Sequence, residues 1–293
     1  MPHDTFRVGD LTAVIGDNEP SGEHRRGYNG VWSLRHARCP RSLFVPTYAG
    51  LNLEHIFDGA TDDRRPEVFF EPRSAPMAFR RLGPDRAELH QPATPVFHLE
   101  SRTVFTLRPP HVLDMEFRFS PRQHAFQQGW IGLFWASYIH APEDKSVYFW
   151  GGTEGSSPSW QQLCTQFHND QSTVVSRGDR TTLVFRPDNQ PSLFRSLSRL
   201  RFDLPLFYGH FEEMVWIVMF DRANGIRLTH SPSGGGFDAE RQTTNPAWDF
   251  QFILPRYEVM QWYGFRVRTL FRPRCPREEI LRAYREWSGG VRA

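Results

Sequence analysis

Lysine is almost missing from this chain: of 35 basic residues, 34 are arginine and one is Lys145. Cysteine is also scarce. Cys39, Cys164 and Cys275 lie far apart without CxxC spacing, which argues against a disulfide framework or a zinc site. The N-terminus has no basic stretch followed by an apolar one, and no apolar run is long enough to cross a membrane. The expected setting is therefore cytoplasmic, or exported with the signal already removed. No block of like charge stands out and the net charge is +2, so nucleic acid is not an expected partner. There is no GxGxxG after a strand, no P-loop, no GxSxG and no HExxH. Nucleotide-dependent, serine esterase and zincin chemistry thus have no support, and no nucleotide cofactor is expected. A divalent metal stays open, as does self-association into a homo-oligomer.

The chain is rich in aromatics, with 25 Phe and 9 Trp, alongside 23 Pro and 22 Gly. Aromatic strands broken by Pro/Gly turns give this profile. Period-two alternation recurs in His111–Ser120, Gly129–His140, Trp160–His168 and Tyr257–Phe271. Asn224-Gly225 between two apolar runs predicts a two-residue hairpin turn that sets Met219 opposite His230. One helix is expected near 276–287. Pro276 stands at its first position, Glu278 and Glu279 in its first turn, and Ile280, Leu281, Tyr284 and Trp287 on one face. The residues after it read as a frayed tail. Together these features predict an all-β fold, a large antiparallel β-sandwich with a C-terminal helix, in a single domain spanning 1–293.

"VPTYAGLNLEHIFDG" (45–59) and "NPAWDFQFILPRYEVMQWYGFRVRTLF" (245–271) resemble the corresponding segments of bacterial galactose mutarotase-like β-supersandwich proteins. The resemblance extends diffusely over most of the chain. No catalytic signature transfers residue by residue. It implies a concave sheet that binds sugars, without implying one reaction.

A sugar site needs flat apolar faces for pyranose C–H groups, polar groups for hydroxyls, and an acid and a base if bonds are to change. Four stretches offer them. The first carries Tyr28, Asn29, Trp32 and His36. The second carries Glu54, expected on the same strand face as Asn52 and Ile56. The third carries Tyr138 and His140 on a face with the small Gly132 and Ala136, followed by Glu143 and Lys145 in a polar turn. The fourth places Tyr208, His210 and Glu212 in one i, i+2, i+4 row, in which a carboxylate can orient an imidazole. Gln166, His168 and Trp248 complete the expected binding set.

Expected catalytic groups are His210, Glu212, His140, Tyr208, Glu143 and Lys145. Lys145 is expected at the cleft rim, held by Glu143 or Asp144, although drift from Lys to Arg in a GC-rich genome also explains a lone lysine. The expected function is a carbohydrate-active enzyme using His/Glu acid/base chemistry, with hydrolysis, elimination and epimerisation all compatible. A non-catalytic carbohydrate-binding or assembly protein is the alternative.

Overall fold

Alternating apolar and polar residues become strands across most of the chain. The computed structural model describes residues 1–190, 192 and 194–291. Strands take 46% of the chain and helix 7%, so the fold is all-β. A small N-terminal sheet comprises β1 (His3–Val8), β2 (Leu11–Gly16) and β3 (Gly30–His36). Then follow β4 (Asn52–Phe57), the short helices α1 (Pro66–Phe69) and α2 (Glu71–Ser74), β5 (Ala78–Arg81), β6 (Arg86–Gln91), β7 (Leu99–Arg108) and β8 (Val112–Pro121). The middle of the chain gives β9 (Ile131–Ala136), β10 (Val147–Thr153), β11 (Ser159–Leu163), β12 (Thr173–Ser176), β13 (Leu197–Phe202), β14 (Leu206–Phe211) and β15 (Met214–Phe220). The last part gives β16 (Ile226–Ser231), β17 (Phe237–Asp238), β18 (Thr243–Thr244), β19 (Ala247–Leu254), β20 (Tyr263–Pro273) and α3 (Arg277–Val291). No described helix is long and apolar enough to cross a membrane.

One continuous sheet runs β4-β9-β19-β16-β12-β13-β10-β14-β15-β20-β8-β7-β6-β5, with β11 added beside β10. It folds back on itself. Trp248 of β19 stacks on Trp216 of β15 at 6.2 Å, and Phe252 of β19 on Phe265 of β20 at 5.0 Å. The β4-β9-β19-β16 layer therefore faces the β14-β15-β20-β8 layer across an aromatic core. β8 shows the period that builds it: Leu113, Met115, Phe117 and Phe119 are buried, while Asp114 and Glu116 are half-buried and Arg118 is exposed.

Several expected elements differ. Asn224-Gly225 does form a turn, with Gly225 at φ 80° and the Ile226 N–H bonded to the Ala223 carbonyl at 3.2 Å. It does not close a hairpin. Met219 pairs with Leu206 and Arg268, and His230 pairs with Trp248. Asp221 to Ala223 carry the chain across the sandwich, so β15 and β16 lie in opposite layers. Both strands are buried along their whole length, and such strands find their neighbours by packing rather than by turn chemistry. The real hairpin turn is Glu212-Glu213, with Phe211 opposite Met214 and Glu212 at φ 50°. Glu212 thus leaves the Tyr208/His210 row. The expected strand at Trp160–His168 stops at Leu163, and the expected strand at Tyr257–Phe271 begins only at Tyr263. The C-terminal helix runs on through Ser288 to Val291, where a frayed tail was expected; Arg292 and Ala293 lie outside the described residues.

Candidate active site

A cavity of about 320 Å³ opens on the outer face of the β4-β9-β19-β16 layer. Its floor carries Glu54 and His55 from β4, Phe134 and Ala136 from β9, Tyr138, and Asp249 from β19. A bulge creates this floor. Leu53 pairs with Trp135 and His55 with Phe134, so Glu54 is an extra residue on β4. Leu53 and Ile56 both reach the interlayer core, while Glu54, His55 and Phe57 turn to the cavity side. Strict alternation would have split Glu54 from His55. Gly132 does not open space for a ligand, because a Cβ there would strike the Phe57 ring at 2.4 Å. Ala136 does leave the floor low between Glu54 and Asp249.

Glu54 is 6% exposed and well partnered. The Tyr138 hydroxyl donates to its Oε1 at 2.5 Å, and Arg73 Nη1 donates to the same oxygen at 3.3 Å. Burial, reinforced by the Glu54 charge, holds the Tyr138 phenol well above its usual range. His55 Nδ1 donates to the Phe69 carbonyl at 2.7 Å, and burial pushes its imidazole below the usual range. Nε2 is then an acceptor, 3.5 Å from Glu54 Oε2 and on the cavity side.

Arg73 is fixed from both sides. Asn18 Nδ2 donates to the carbonyls of Pro72, Arg73 and Ala75 at 3.0, 3.3 and 2.7 Å, and Gln91 Nε2 to those of Pro72 and Ala75 at 3.0 and 3.2 Å. The guanidinium lies over the Tyr28 ring at 4.2 Å and the Phe70 ring at 4.9 Å. Tyr28 in turn stacks on Tyr48 at 4.5 Å. This geometry keeps a positive charge beside Glu54.

Asp249 sits between Trp248 and Phe250, whose rings point into the core, so its own carboxyl points to the cavity. It is 2% exposed, and its Oδ1 accepts the Ser137 N–H at 3.0 Å. Burial holds this carboxyl well above the usual carboxylate range; the Ser137 N–H works against that and the Glu54 charge adds to it. Asp249 is therefore the carboxyl of the floor that holds its proton more firmly than an ordinary aspartate does. With β9 between their strands, Glu54 and Asp249 start from backbones about 10 Å apart, two strand spacings.

Of the residues expected from sequence, Tyr28, Glu54, Tyr138 and His168 line this cavity. His168 contacts the Ser231 and Ser233 hydroxyls at 3.2 and 3.0 Å. Asn29 lies behind the floor, bonded to Asn52 Oδ1 and the Leu53 carbonyl, where it pins the start of β4. Trp32 donates to the Asp17 carbonyl and stacks on His24 at 3.6 Å. Gln166 is exposed and outside the lining. Trp248 faces the core and donates to the Lys145 carbonyl at 2.8 Å.

The other expected residues do not converge here. Tyr208 and His210 lie on the outer face of the opposite layer, where Arg277 at the start of α3 donates to the Tyr208 hydroxyl at 2.7 Å. Their strand belongs to the layer that α3 covers, so the shared cleft expected for them and Tyr138 does not form. His140 Nε2 stands 3.2 Å from Asp238. Glu212 accepts from Arg41 at 2.6 Å and from the Cys39 thiol at 3.2 Å. Arg41 also reaches the His140 carbonyl, so His140 and Glu212 share one ion-paired corner outside the cavity lining. Glu143 is exposed. Lys145 is half-buried and donates to Thr244 Oγ1 at 2.7 Å, in place of the expected Glu143 or Asp144.

His55, Arg73 and Asp249 were not anticipated. The strand "AWDFQFIL" carried the only signal, an acid alternating with aromatics, which equally fits a solvated face.

Among the described residues, ligand-type atoms of Asp10, His36 and His111 lie within 4.8 Å of one another. They stand outside the cavity lining. His36 Nδ1 accepts the Arg38 N–H at 3.0 Å, so Nε2 carries the proton, 3.5 Å from Asp10 Oδ2 and without a hydrogen-bond partner. In that tautomer His36 offers a metal no lone pair at Nε2.

No protein-family model matches the chain, and no curated protein is similar to it in sequence. Solved structures do match. One from Escherichia coli K12, provisionally named an aldose 1-epimerase, superposes with TM-score 0.55 at 9% identity over 93% of this chain and 99% of its own. An aldose epimerase homologue from C. elegans gives 0.52 at 9% identity, over 92% and 99%. A mutant of the heparan sulfate lyase HepC from Pedobacter heparinus gives 0.50 at 10% identity, over 94% of this chain but 36% of its own. At these identities the likeness speaks for the fold alone. By that likeness and by its folded-back sheet, the chain has the galactose mutarotase-like β-supersandwich fold.

Proposed function

We propose that the protein is a carbohydrate-active enzyme that moves protons at the anomeric centre of a sugar held over Ala136. The observation that carries this reading is the pair of carboxyls on one cavity floor, Glu54 held by an arginine and a phenol and Asp249 kept protonated by burial. A carboxyl paired with an arginine beside a second carboxyl raised by burial assigns a base and an acid. Glu54 takes the proton from the anomeric hydroxyl. Asp249 gives its proton to the ring oxygen, and the C1–O5 bond breaks to leave an aldehyde. Rotation about C1–C2 and the reverse transfers close the ring as the other anomer, so protons and bonds balance without a co-reactant. Tyr138 orients Glu54, and His55 Nε2 accepts a hydroxyl. A neighbour of epimerase type, matched over 99% of its own length, shares the fold on which this reading places the site.

Polarimetry or proton NMR of freshly dissolved α-D-galactose tests the proposal. The protein should accelerate approach to the anomeric equilibrium. Glu54→Gln should cut that acceleration by about 10²-fold or more, the usual weight of a positioned general base. An unchanged rate in Glu54→Gln would sink the assignment.

A further inference from the structure

Arg227 presents an unsettled charge on the same sheet face. Ile226 and Leu228 of β16 point into the interlayer core, so Arg227, Thr229 and Ser231 point the other way, and Ser231 lines the cavity. Arg227 is 3% exposed, its Nε meets no acceptor, and its ion-pair partner Asp179 is 3.6 Å away. Opposite it on β19 is Gln251, 0% exposed. The Gln251 amide donates to Thr173 and Thr229 at 3.1 and 2.9 Å, but its Oε1 meets no donor. Asp249 pairs with Thr229, so this second row lies two residues, about 7 Å, along the strands from the acid. A guanidinium so buried, with its Nε unpaired and its carboxylate partner at 3.6 Å, is costly. The cavity's own arginine, Arg73, is already committed to Glu54.

We propose that Arg227 and Gln251 form an anion-binding end of the sugar site and that the ligand is a hexuronic acid. Its carboxylate takes two parallel N–H···O bonds from Arg227, and a ring hydroxyl donates to Gln251 Oε1. This rests on the carbohydrate reading above and extends it to a substrate class. Asp179 holds the place of the ligand carboxylate. It belongs to a stretch after β12 that has no helix or strand among its described residues as far as β13. Its local bonds are a turn, with the Asp179 N–H on the Ser176 carbonyl and the Thr181 N–H on Asp179 Oδ1. A ligand can displace it without breaking a strand pair.

Calorimetric titration with D-galacturonate, D-galactose and D-galactose 6-phosphate tests this. The native protein should bind galacturonate roughly tenfold or more tighter than galactose, the effect of a charge-assisted pair of hydrogen bonds. Arg227→Met should bring the two affinities together, and Asp179→Asn should tighten galacturonate binding. Equal affinities in the native protein, or a galacturonate preference that survives Arg227→Met, would overturn the proposal. So would tighter binding of the 6-phosphate. Should Arg227→Met fail to fold, an Asp179→Asn protein with no gain for galacturonate overturns it alone. Galactose bound and anomerised without a galacturonate preference refutes only this subsite; no binding and no anomerisation of either sugar refutes the underlying reading as well.

Discussion

Asparagine at position 249 isolates the protonation state on which the proposed chemistry depends. Asp249→Asn keeps the shape of the neutral acid and an Oδ1 that still accepts the Ser137 N–H. A carboxyl whose folded-state pKa is raised binds a proton that the unfolded chain has already released, so native stability falls as pH rises between the two values. The slope is about 1.4 kcal/mol per pH unit, starting near the ordinary Asp value of about 4 and ending at the raised folded value. The variant lacks this loss. Above about pH 4 and up to the raised folded value, Asp249→Asn should therefore gain stability relative to the native protein as pH rises, by up to about 1.4 kcal/mol per pH unit. Urea unfolding of both proteins at several pH values measures this difference. Histidines that titrate in the same window cancel, because both proteins contain them. Parallel stability curves would mean that Asp249 is ionised in the fold, and the proton donor would be lost. Anomerisation should fall by about 10²-fold or more in the same variant, so it becomes more stable and less active together.

Ala136→Leu should fill the low floor between Glu54 and Asp249; sugar binding should be lost in calorimetry while the circular dichroism spectrum is kept. Tyr208→Phe removes the hydroxyl that receives Arg277 and should cost about 1–2 kcal/mol in urea unfolding with little change in anomerisation, because Tyr208 lies under α3. His24 and His230 are both pushed down to about 4, in each case mainly by burial. Protonation then disfavours the fold, so their stabilisation is full above about pH 6.5 and is lost as pH falls toward 4. A His24→Gln, His230→Gln double variant should show a flatter acid limb; an unchanged limb would refute the neutral state of both rings.

The β-rich class, the terminal helix and four cavity residues were readable from alternation and residue type. Glu54 was found because an acid among apolar residues needs a reason. Glu54 does not share the face of Ile56 as expected, because a bulge changes parity without changing composition, and nothing in "NLEHIF" marks one. Arg73 was hidden by distance: what places it is Asn18 and Gln91 holding carbonyls of α2, contacts that only the folded chain creates. Tyr208 and His210 share a row as expected, but alternation names a face without saying what covers it. Asn224-Gly225 gave its turn and not its partner, since turn residues fix a local reversal while the apolar strands on either side choose layers by packing.

The crossing between β15 and β16 bears on how the molecule comes to exist. Consecutive strands that lie in opposite layers cannot zip together as a local unit. The layer below the cavity closes through long loops instead, β4 on β9 and β9 on β19. Such non-local pairing slows folding, because loop entropy is lost before contacts return it. Glu54 joins the fold from the early part of the chain and Asp249 from the late part, so no half of the molecule holds both. Catalytic competence should appear only in the last kinetic phase of refolding, which makes activity a more stringent reporter of complete assembly than any spectroscopic signal from the strands.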